Sequence, residues 1–289
     1  MVFILGIVFA LASVFGGYIL HHGPMGVFID AWTEYIVIIG SGIGLFVASN
    51  GMDVVKRTMG AVSHLLKADP FTKPEFLNLM AILYQLFVVA RKDGILALEG
   101  HVENPEASTV FSKYPGFLHN HHAVHFLCDN VKIIMGGGIP PHDLDEMMEM
   151  DLEAMGKEAH VVPEAVQNMA DAMPALGIVA CVLGVVITMG HIGGDPREIG
   201  ASVGVALIGT FLGIGISYLI VAPLARALSL RHAPEEIYMN CIRHALHSFS
   251  RGEAPMICVE FARHNVPPER RPGLVETEKY CKESGKSGG

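Results

Sequence analysis

The residues with the clearest chemical potential lie in two apolar segments in the second half of the chain. Residues 173–190 and 199–224 contain no carboxylate, amine, guanidinium or imidazole. Near the middle of the second segment, the Thr210 hydroxyl could contact an ion or water in a pore, or could bond its own helix backbone at i−4. Because neither segment holds a proton carrier, we do not expect this chain to relay protons alone.

Two prolines stand at matching depth in these segments. Pro174 opens the first segment, and Pro223 closes the second. A proline removes a backbone hydrogen bond and kinks a helix, so the pair could form a hinge or gate. Near a helix end a proline can also be simple punctuation, and both interpretations stay open.

A run of histidines offers possible metal ligands. Its members are His119, His121, His122 and His125, and Cys128 follows closely. Their spacing could place several side chains on one helical face, as zinc requires. Since no second ligand pair with recognisable spacing follows, we interpret the run as a solvated polar face and predict no metal site.

A charged pair, Arg91 and Glu99, flanks a break at Asp93 and Gly94. Charged residues in such a loop are usually solvated. The sequence contains no nucleophile–base arrangement, phosphate-binding loop or dinucleotide motif. We therefore predict that the protein is not an enzyme.

Hydropathy indicates an all-α membrane protein with four transmembrane helices. The first two spans cover residues 1–20 and 35–52, and the third and fourth are the two apolar segments above. A span needs about 20 residues of helix. Small residues recur on single faces of the last two spans, which favours close helix packing or a lined space for a partner helix. They are Gly177, Ala180, Cys181 and Gly184, then Gly200, Gly204, Gly209 and Gly213.

The composition agrees with a membrane protein that has a large aqueous part. Hydrophobic residues make up 51% of the 289 residues and charged residues only 17%, against about 25% charged in soluble domains. The net charge is −9, with acid concentrated in residues 143–158, which argues against nucleic-acid binding. The five cysteines form no CxxC pair, so we expect reduced thiols.

Charge asymmetry predicts the orientation of the spans. Basic residues follow the second and fourth spans, whereas the two short links carry only Arg197. By the positive-inside rule, both termini and the long middle segment are cytoplasmic.

Four parts of the chain follow from these spans. Residues 1–52 are transmembrane helices 1 and 2 with a short periplasmic link, and residues 53–171 form a cytoplasmic helical domain. Residues 172–225 are transmembrane helices 3 and 4. Residues 226–289 form a C-terminal cytoplasmic helix and a tail that we expect to be disordered from residue 276. Pro74 and Pro234 are each expected to open a helix.

Several motifs, in order along all four spans, resemble the MotA family of flagellar motor stator subunits, within the MotA/TolQ/ExbB proton channel family. The strongest match covers residues 171–186, and residues 209–214 and 223–225 follow at the family's spacing. Residues 98–105 resemble the family's "LE…ENP" element. Further matches are residues 14–18, 36–44, 259–261 and 270–272.

The resemblance implies a homopentamer in the bacterial inner membrane. The five copies would surround a MotB dimer, which supplies a transmembrane aspartate and the peptidoglycan anchor, and would turn the rotor protein FliG. Pro174 and Pro223 match the family's two functional prolines. Thr210 matches a threonine near the ion path, and Arg91 and Glu99 match the charged pair that meets the rotor.

The coupling ion is expected to be H⁺, with no cofactor. Sodium-driven relatives carry a second threonine seven residues after the first proline, where this chain has Cys181 beside Ala180. A thiol is a poor ligand for a hard cation such as Na⁺. We therefore assign Thr210, Cys181 and Ala180 to the ion pathway. His191, just outside the third span, could tune proton access.

Three alternatives remain at this point. An energising subunit of the ExbB/TolQ kind would have three spans rather than four. A self-contained channel or secondary transporter would need intramembrane charges or broken helices. A membrane scaffold would carry no ion current.

Overall fold

The structure of the protein, a computed structural model, describes residues 2–65, 67, 69–190 and 193–286. Across these residues the chain is all-helical and contains no β-strand, which confirms the all-α part of the predicted fold class. The α-helices are α1 (Val2–Leu20), α2 (Gly26–Asp30), α3 (Trp32–Ser49), α4 (Met52–His64), α5 (Lys73–Asp93), α6 (Glu99–Glu103), α7 (Pro115–His119), α8 (His121–Gly136), α9 (Pro141–Met189), α10 (Pro196–Ile216), α11 (Ala222–Ser250), α12 (Pro255–Asn265) and α13 (Leu274–Lys286).

The chain divides into two compact units. The first unit comprises Met1–Lys67 and Ala159–Leu230, and the second comprises Ala68–Glu158 and Arg231–Gly289. The divisions after residues 67, 158 and 230 lie 15, 13 and 5 residues from the predicted boundaries after residues 52, 171 and 225. The first shift arises because α4 belongs to the first unit. Ala61 in α4 and Leu65 just after it pack against that unit's buried cluster.

Five helical segments within the described residues are long and apolar enough to cross a membrane. They are Phe3–Leu20, Trp32–Ser49, Lys73–Asp93, Pro141–Met189 and Pro196–Ser250. The second predicted span begins three residues early, at Trp32 instead of Tyr35. By composition and length alone, α5 therefore joins the four segments that hydropathy selects in the sequence.

The first unit exposes much of its apolar surface. Along α1, Leu5 and Phe9 are 65% and 75% exposed, and Ile187 near the end of α9 is 65% exposed. Such outward-facing apolar side chains are typical of helices that face lipid. The buried cluster is comparatively small and includes Ile38, Ala170, Met173, Leu212 and Leu228.

The second unit encloses its apolar side chains. In α5 the apolar stripe of Phe76, Leu79, Leu83 and Phe87 is fully buried. Helices α12 and α13 pack against α5. The ring of Phe87 stacks on Phe249 with centroids 4.4 Å apart.

The C-terminal segment corrects the expectation of disorder. Residues 274–286 form α13, and Cys281 in it is fully buried. The Tyr280 hydroxyl donates a 2.8 Å hydrogen bond to Oδ1 of Asn78 in α5, and Lys73 pairs with Glu276 at 2.8 Å. Composition predicts disorder because this segment is polar, but a few well-placed side chains suffice to dock it. Residues 287–289 lie outside the described residues.

The turn signals in the sequence have mixed outcomes. Gly94 has a φ of +91° at the predicted break, and Gly137 and Gly138, just after α8, have φ values of +67° and +83°. Glycine avoids strain at such angles. Pro74 lies at the start of α5 as predicted. The prediction that Pro234 opens a helix is wrong, because Pro234 lies inside α11.

Candidate functional site

Helices α9 and α10 approach each other in the first unit so closely that their backbones touch. A Cβ atom added at Gly213 would lie 2.6 Å from Cα of Gly177 and 2.8 Å from the carbonyl oxygen of Met173. One added at Gly177 would lie 2.8 Å from the carbonyl oxygen of Gly209. Only glycine permits this distance, as in other close helix pairs.

The glycines predicted on single faces of the last two spans divide into two groups. Gly177, Gly184, Gly209 and Gly213 lie where α9 and α10 meet, and a Cβ at Gly184 would lie 2.7 Å from Cβ of Ala206. Gly200 and Gly204, in contrast, have open space around an added Cβ. The sequence pattern predicts the first group correctly but cannot separate the two.

The three residues assigned to the ion pathway lie at one level of this helix pair. A Cβ at Gly209 would lie 3.1 Å from the amide nitrogen of Cys181 and 3.2 Å from Cβ of Ala180. Thr210 is the next residue of α10. Ala180 is buried in the helix contact, whereas Cys181 and Thr210 each keep part of their surface exposed.

Both prolines lie within continuous helical runs, Pro141–Met189 and Pro196–Ser250. Pro174 lies inside α9, which continues for 15 residues to Met189, so simple punctuation is the wrong interpretation of this proline. Pro223 is the second residue of α11, one residue after a π-helical turn, Ser217–Val221, that joins α10 to α11. Both proline side chains are half-buried.

The charged pair lies on the surface of the second unit. Arg91, in the last turn of α5, donates a 3.0 Å hydrogen bond from Nη1 to the carbonyl oxygen of Glu253. Glu99 is the first residue of α6, and both side chains are exposed. Between them, the 3₁₀ turn Ile95–Leu98 is held by the fully buried Leu98.

The two histidines His119 and His122 have different hydrogen-bond partners. Nδ1 of His119 is 2.6 Å from the carbonyl oxygen of Pro115, and Nδ1 of His122 is 3.2 Å from Oε1 of Glu235. Burial raises the pKa of the Cys128 thiol to about 12, so a thiolate ligand is disfavoured. The described part of the chain contains no group of three His, Cys, Asp or Glu residues placed to hold a metal ion. His191 lies outside the described residues.

Comparison with known proteins places the whole chain in one family. Residues 4–94 match the model of the Motility protein A N-terminal domain, and residues 120–240 match that of the MotA/TolQ/ExbB proton channel family. The chain is 34% identical to Motility protein A of Escherichia coli (strain K12) over 282 residues, which is 98% of this chain and 95% of that protein. The chain belongs to the Motility protein A family.

More distant relatives and solved structures are similar over nearly the same length. Chemotaxis protein PomA of Vibrio alginolyticus is 25% identical over 93% of this chain and 96% of that protein. A structure of C. jejuni MotAB matches with a TM-score of 0.73 at 20% identity over 92% of this chain and 96% of that chain. The flagellar MotAB stator complex from Bacillus subtilis matches with a TM-score of 0.70 at 20% identity, over 93% and 96% of the two chains.

Membership of the Motility protein A family identifies the chain as a flagellar stator subunit, a membrane protein for motility and not an enzyme. The family also decides between the alternatives within the proton channel group. The match at residues 4–94 is to the Motility protein A N-terminal domain, which favours the motor subunit over the ExbB/TolQ kind.

One buried carboxylate of this chain, Glu34, was not identified from the sequence. Glu34 is only 6% exposed, accepts a 2.6 Å hydrogen bond from the Thr33 hydroxyl, and has Oε1 3.5 Å from the position of a Cβ at Gly184. Hydropathy assigns Glu34 to the link before the second span, but the structure places it in the first turn of α3. Its signal is a glutamate directly before the apolar run of residues 35–39.

Proposed function

We propose that this chain forms the membrane part of a proton-driven motor unit whose proton-carrying carboxylate comes from a partner chain. The supporting observation is the α9–α10 contact, which brings Cys181 and Ala180 level with Gly209 and next to Thr210. No residue of the two apolar segments in these helices carries an ionisable carboxylate, amine or imidazole. A path of this kind needs an acid from elsewhere.

Four of the five long apolar segments cross the bacterial inner membrane in this proposal. They are α1, α3, residues 173–190 of α9, and residues 199–224 of α10 and the π turn. Helix α5 does not cross, since its apolar side chains form the core of the second unit. The basic residues after the second and fourth spans favour cytoplasmic termini and a cytoplasmic second unit.

The partner is a MotB dimer, surrounded by five copies of this chain. Two structures with similar folds are MotAB complexes, which supports MotB as the partner. A carboxylate in mid-membrane costs about 2.5–3.5 kcal/mol on insertion scales and is retained only for function. One such aspartate, brought by the MotB helix, would complete the ion path, and MotB would anchor the unit to peptidoglycan.

The transported ion is H⁺, and Thr210, Cys181 and Ala180 line its path. Each proton that crosses releases about 2.3 kcal/mol per 100 mV. Protonation of the partner's aspartate changes how its helix sits against α9 and α10, and the ring then turns around MotB. The prolines Pro174 and Pro223 act as the hinge, and Arg91 and Glu99 on the second unit contact the rotor protein FliG.

The coupling ion is tested with cells that carry this chain and its MotB partner. We expect swimming speed to follow the proton-motive force and to be unchanged when external sodium is replaced by potassium. The matched control is Ser202→Ala, at an exposed position of α10 outside the proposed path, which should leave both the speed and the ion dependence unchanged. A loss of swimming on removal of sodium would overturn the assignment of H⁺.

The hinge is tested with a pair of prolines in one helix. Pro163 also lies inside α9, so Pro163→Ala is the matched control for Pro174→Ala. We expect Pro174→Ala to stop rotation while the complex still assembles, and Pro163→Ala to rotate. Normal rotation of the Pro174→Ala motor would exclude the hinge.

A further inference from the structure

A serine on a neighbouring helix satisfies the backbone carbonyl that Pro174 leaves without a partner. In an α-helix the N–H of residue 174 would bond the carbonyl of residue 170, but proline has no N–H to donate. The Ser217 hydroxyl donates a 2.7 Å hydrogen bond to the carbonyl oxygen of Ala170. Ala170 is fully buried and Ser217 is 1% exposed, so water does not compete for this bond.

The direction of this hydroxyl is unusual for a helical serine in the first unit. Hydroxyls in helices commonly bond their own backbone at i−4. Ser13, Thr58 and Thr188 do so, at 2.9, 2.8 and 2.9 Å. Ser217 instead reaches across 47 positions of sequence to α9, to the carbonyl that the proline frees.

Ser217 is also the first residue of the π turn before Pro223. Its own carbonyl accepts the N–H of Ala222, five residues later, directly before that proline. Side-chain hydroxyls and local π turns are two ways in which prolines are accommodated in apolar helices. At Ser217 both occur in one residue, so its side chain contacts the Pro174 site and its backbone belongs to the Pro223 site.

We propose that Ser217 is a positioning residue that couples the two prolines. Its hydroxyl fixes α9 at the Pro174 kink to the π turn at Pro223, so neither kink can change without breaking or transferring this bond. An unsatisfied carbonyl in an apolar environment is costly. The bond therefore favours the arrangement of α9 and the π turn in which Ser217 reaches Ala170 over arrangements in which it does not. This inference rests on the proposed hinge role of the prolines.

A double-mutant cycle tests the bond itself in the full-length chain assembled with its MotB partner. Ser217→Ala should lower the midpoint of thermal unfolding by about 5 °C, because the Ala170 carbonyl loses its donor. In a Pro174→Ala background the restored N–H of residue 174 can bond that carbonyl, so the same change should cost much less. Ser202→Ala, at an exposed position of α10, is the control and should leave the midpoint unchanged in both backgrounds.

Two further variants keep the test decisive if Ser217→Ala does not assemble. Ser217→Thr retains the hydroxyl and should restore the wild-type midpoint, whereas Ser217→Cys carries a weaker donor and should behave between Thr and Ala. Equal losses in the wild-type and Pro174→Ala backgrounds would overturn the assignment of the bond.

Rotation separates a positioning role from a structural one. Torque per stator unit, measured from the step size as single units join a motor, should fall at least two-fold in Ser217→Ala and recover in Ser217→Thr. A non-additive cycle with unchanged torque per unit would overturn the coupling of the prolines but leave the proposed function intact. Normal rotation of the Pro174→Ala motor would instead remove the hinge, whatever the cycle gives.

Discussion

The two units of this protein are packed in opposite ways. The second unit encloses large side chains, such as Phe76, Phe87 and Phe117, all fully buried. In the first unit the closest contact is between backbones, at Gly177 and Gly213, and large side chains such as Phe9 point outward. The second unit is therefore stabilised by large buried side chains, whereas the closest helix contact of the first unit requires glycines.

The difference agrees with the proposal that the first unit lies in lipid and the second in water. In water, burial of apolar area supplies roughly 25 cal/mol per Å², so large enclosed side chains stabilise the second unit. Lipid tails are as apolar as leucine, so helices there gain from van der Waals contact and hydrogen bonds. Close approach at glycines then stabilises the helix pair by increasing van der Waals contact. A hydrogen bond between helices, such as that from Ser217 to Ala170, stabilises it further.

The comparison is tested most strongly by truncating one phenylalanine in each unit. Phe87→Ala should destabilise the second unit by about 3–5 kcal/mol, because it leaves a cavity where the ring stacks on Phe249. Phe9→Ala, whose side chain is 75% exposed, should change stability by less than about 0.5 kcal/mol. Unfolding of the purified full-length chain in detergent measures both. Equal losses would contradict the contrast between the units.

The reverse change, small to large, should affect the first unit. Gly213→Ala places a methyl group against the backbone of Gly177 and should cost about 1–3 kcal/mol, because α9 and α10 must separate. Gly215→Ala lies in the same helix with open space around the new Cβ, so it should be neutral or slightly stabilising. The two variants are compared by the same unfolding measurement. A loss of equal size at both positions would show that the helix contact is not the cause.

Acidification should weaken the second unit through a half-buried histidine, His244. Burial lowers the pKa of His244 below its ordinary value of 6.5, with the charge of Arg243 acting in the same direction. The unfolded chain therefore binds the proton first as the pH falls, and stability that is complete above pH 6.5 declines below it. Unfolding midpoints between pH 7.5 and pH 5.5 measure this decline. His244→Gln should reduce it, whereas the exposed His142→Gln should not.

The smallest effect on stability is expected at the charged pair on the second unit. Arg91→Glu and Glu99→Lys should each change stability by less than about 0.5 kcal/mol, because both side chains are exposed. Rotation should nevertheless be impaired, with membrane insertion intact, since the proposed rotor contact reverses its charge. Bead rotation and a membrane fractionation measure the two properties. Unchanged rotation in both variants would contradict the rotor contact.

Several features of the fold can be predicted from sequence because they depend on local pattern. The helical stripe from Phe76 to Phe87 follows from the spacing of its apolar residues. The turns at Gly94 and Gly137 follow from glycine, the residue that best tolerates the positive φ found there. The C-terminal helix α13 could not be predicted, since its stability comes from docking on α5 through Tyr280 and Cys281. Pro234 misleads for a related reason, because tertiary packing can keep a helix continuous through a proline.

In the candidate site, too, local pattern predicts some features and tertiary packing decides others. Types and spacing identify Pro174, Pro223 and Thr210 as positions of interest, and the glycines as a packing surface. Which glycines touch cannot be deduced, because Gly204 and Gly209 have the same local pattern but only Gly209 faces α9. Glu34 was missed because hydropathy averages over a window and does not register one buried carboxylate.

By itself, the sequence determined that this chain is all-helical, that it has long apolar helices, and that the apolar segments 173–190 and 199–224 carry no acid. These properties depend on composition and on the helical period, which are local. The tertiary structure alone decided that Gly177 and Gly213 meet. It also decided that the Ser217 hydroxyl bonds the carbonyl of Ala170, 47 residues earlier in the chain, which Pro174 leaves without a donor. Such contacts depend on where helix faces meet in space, and no local pattern encodes that.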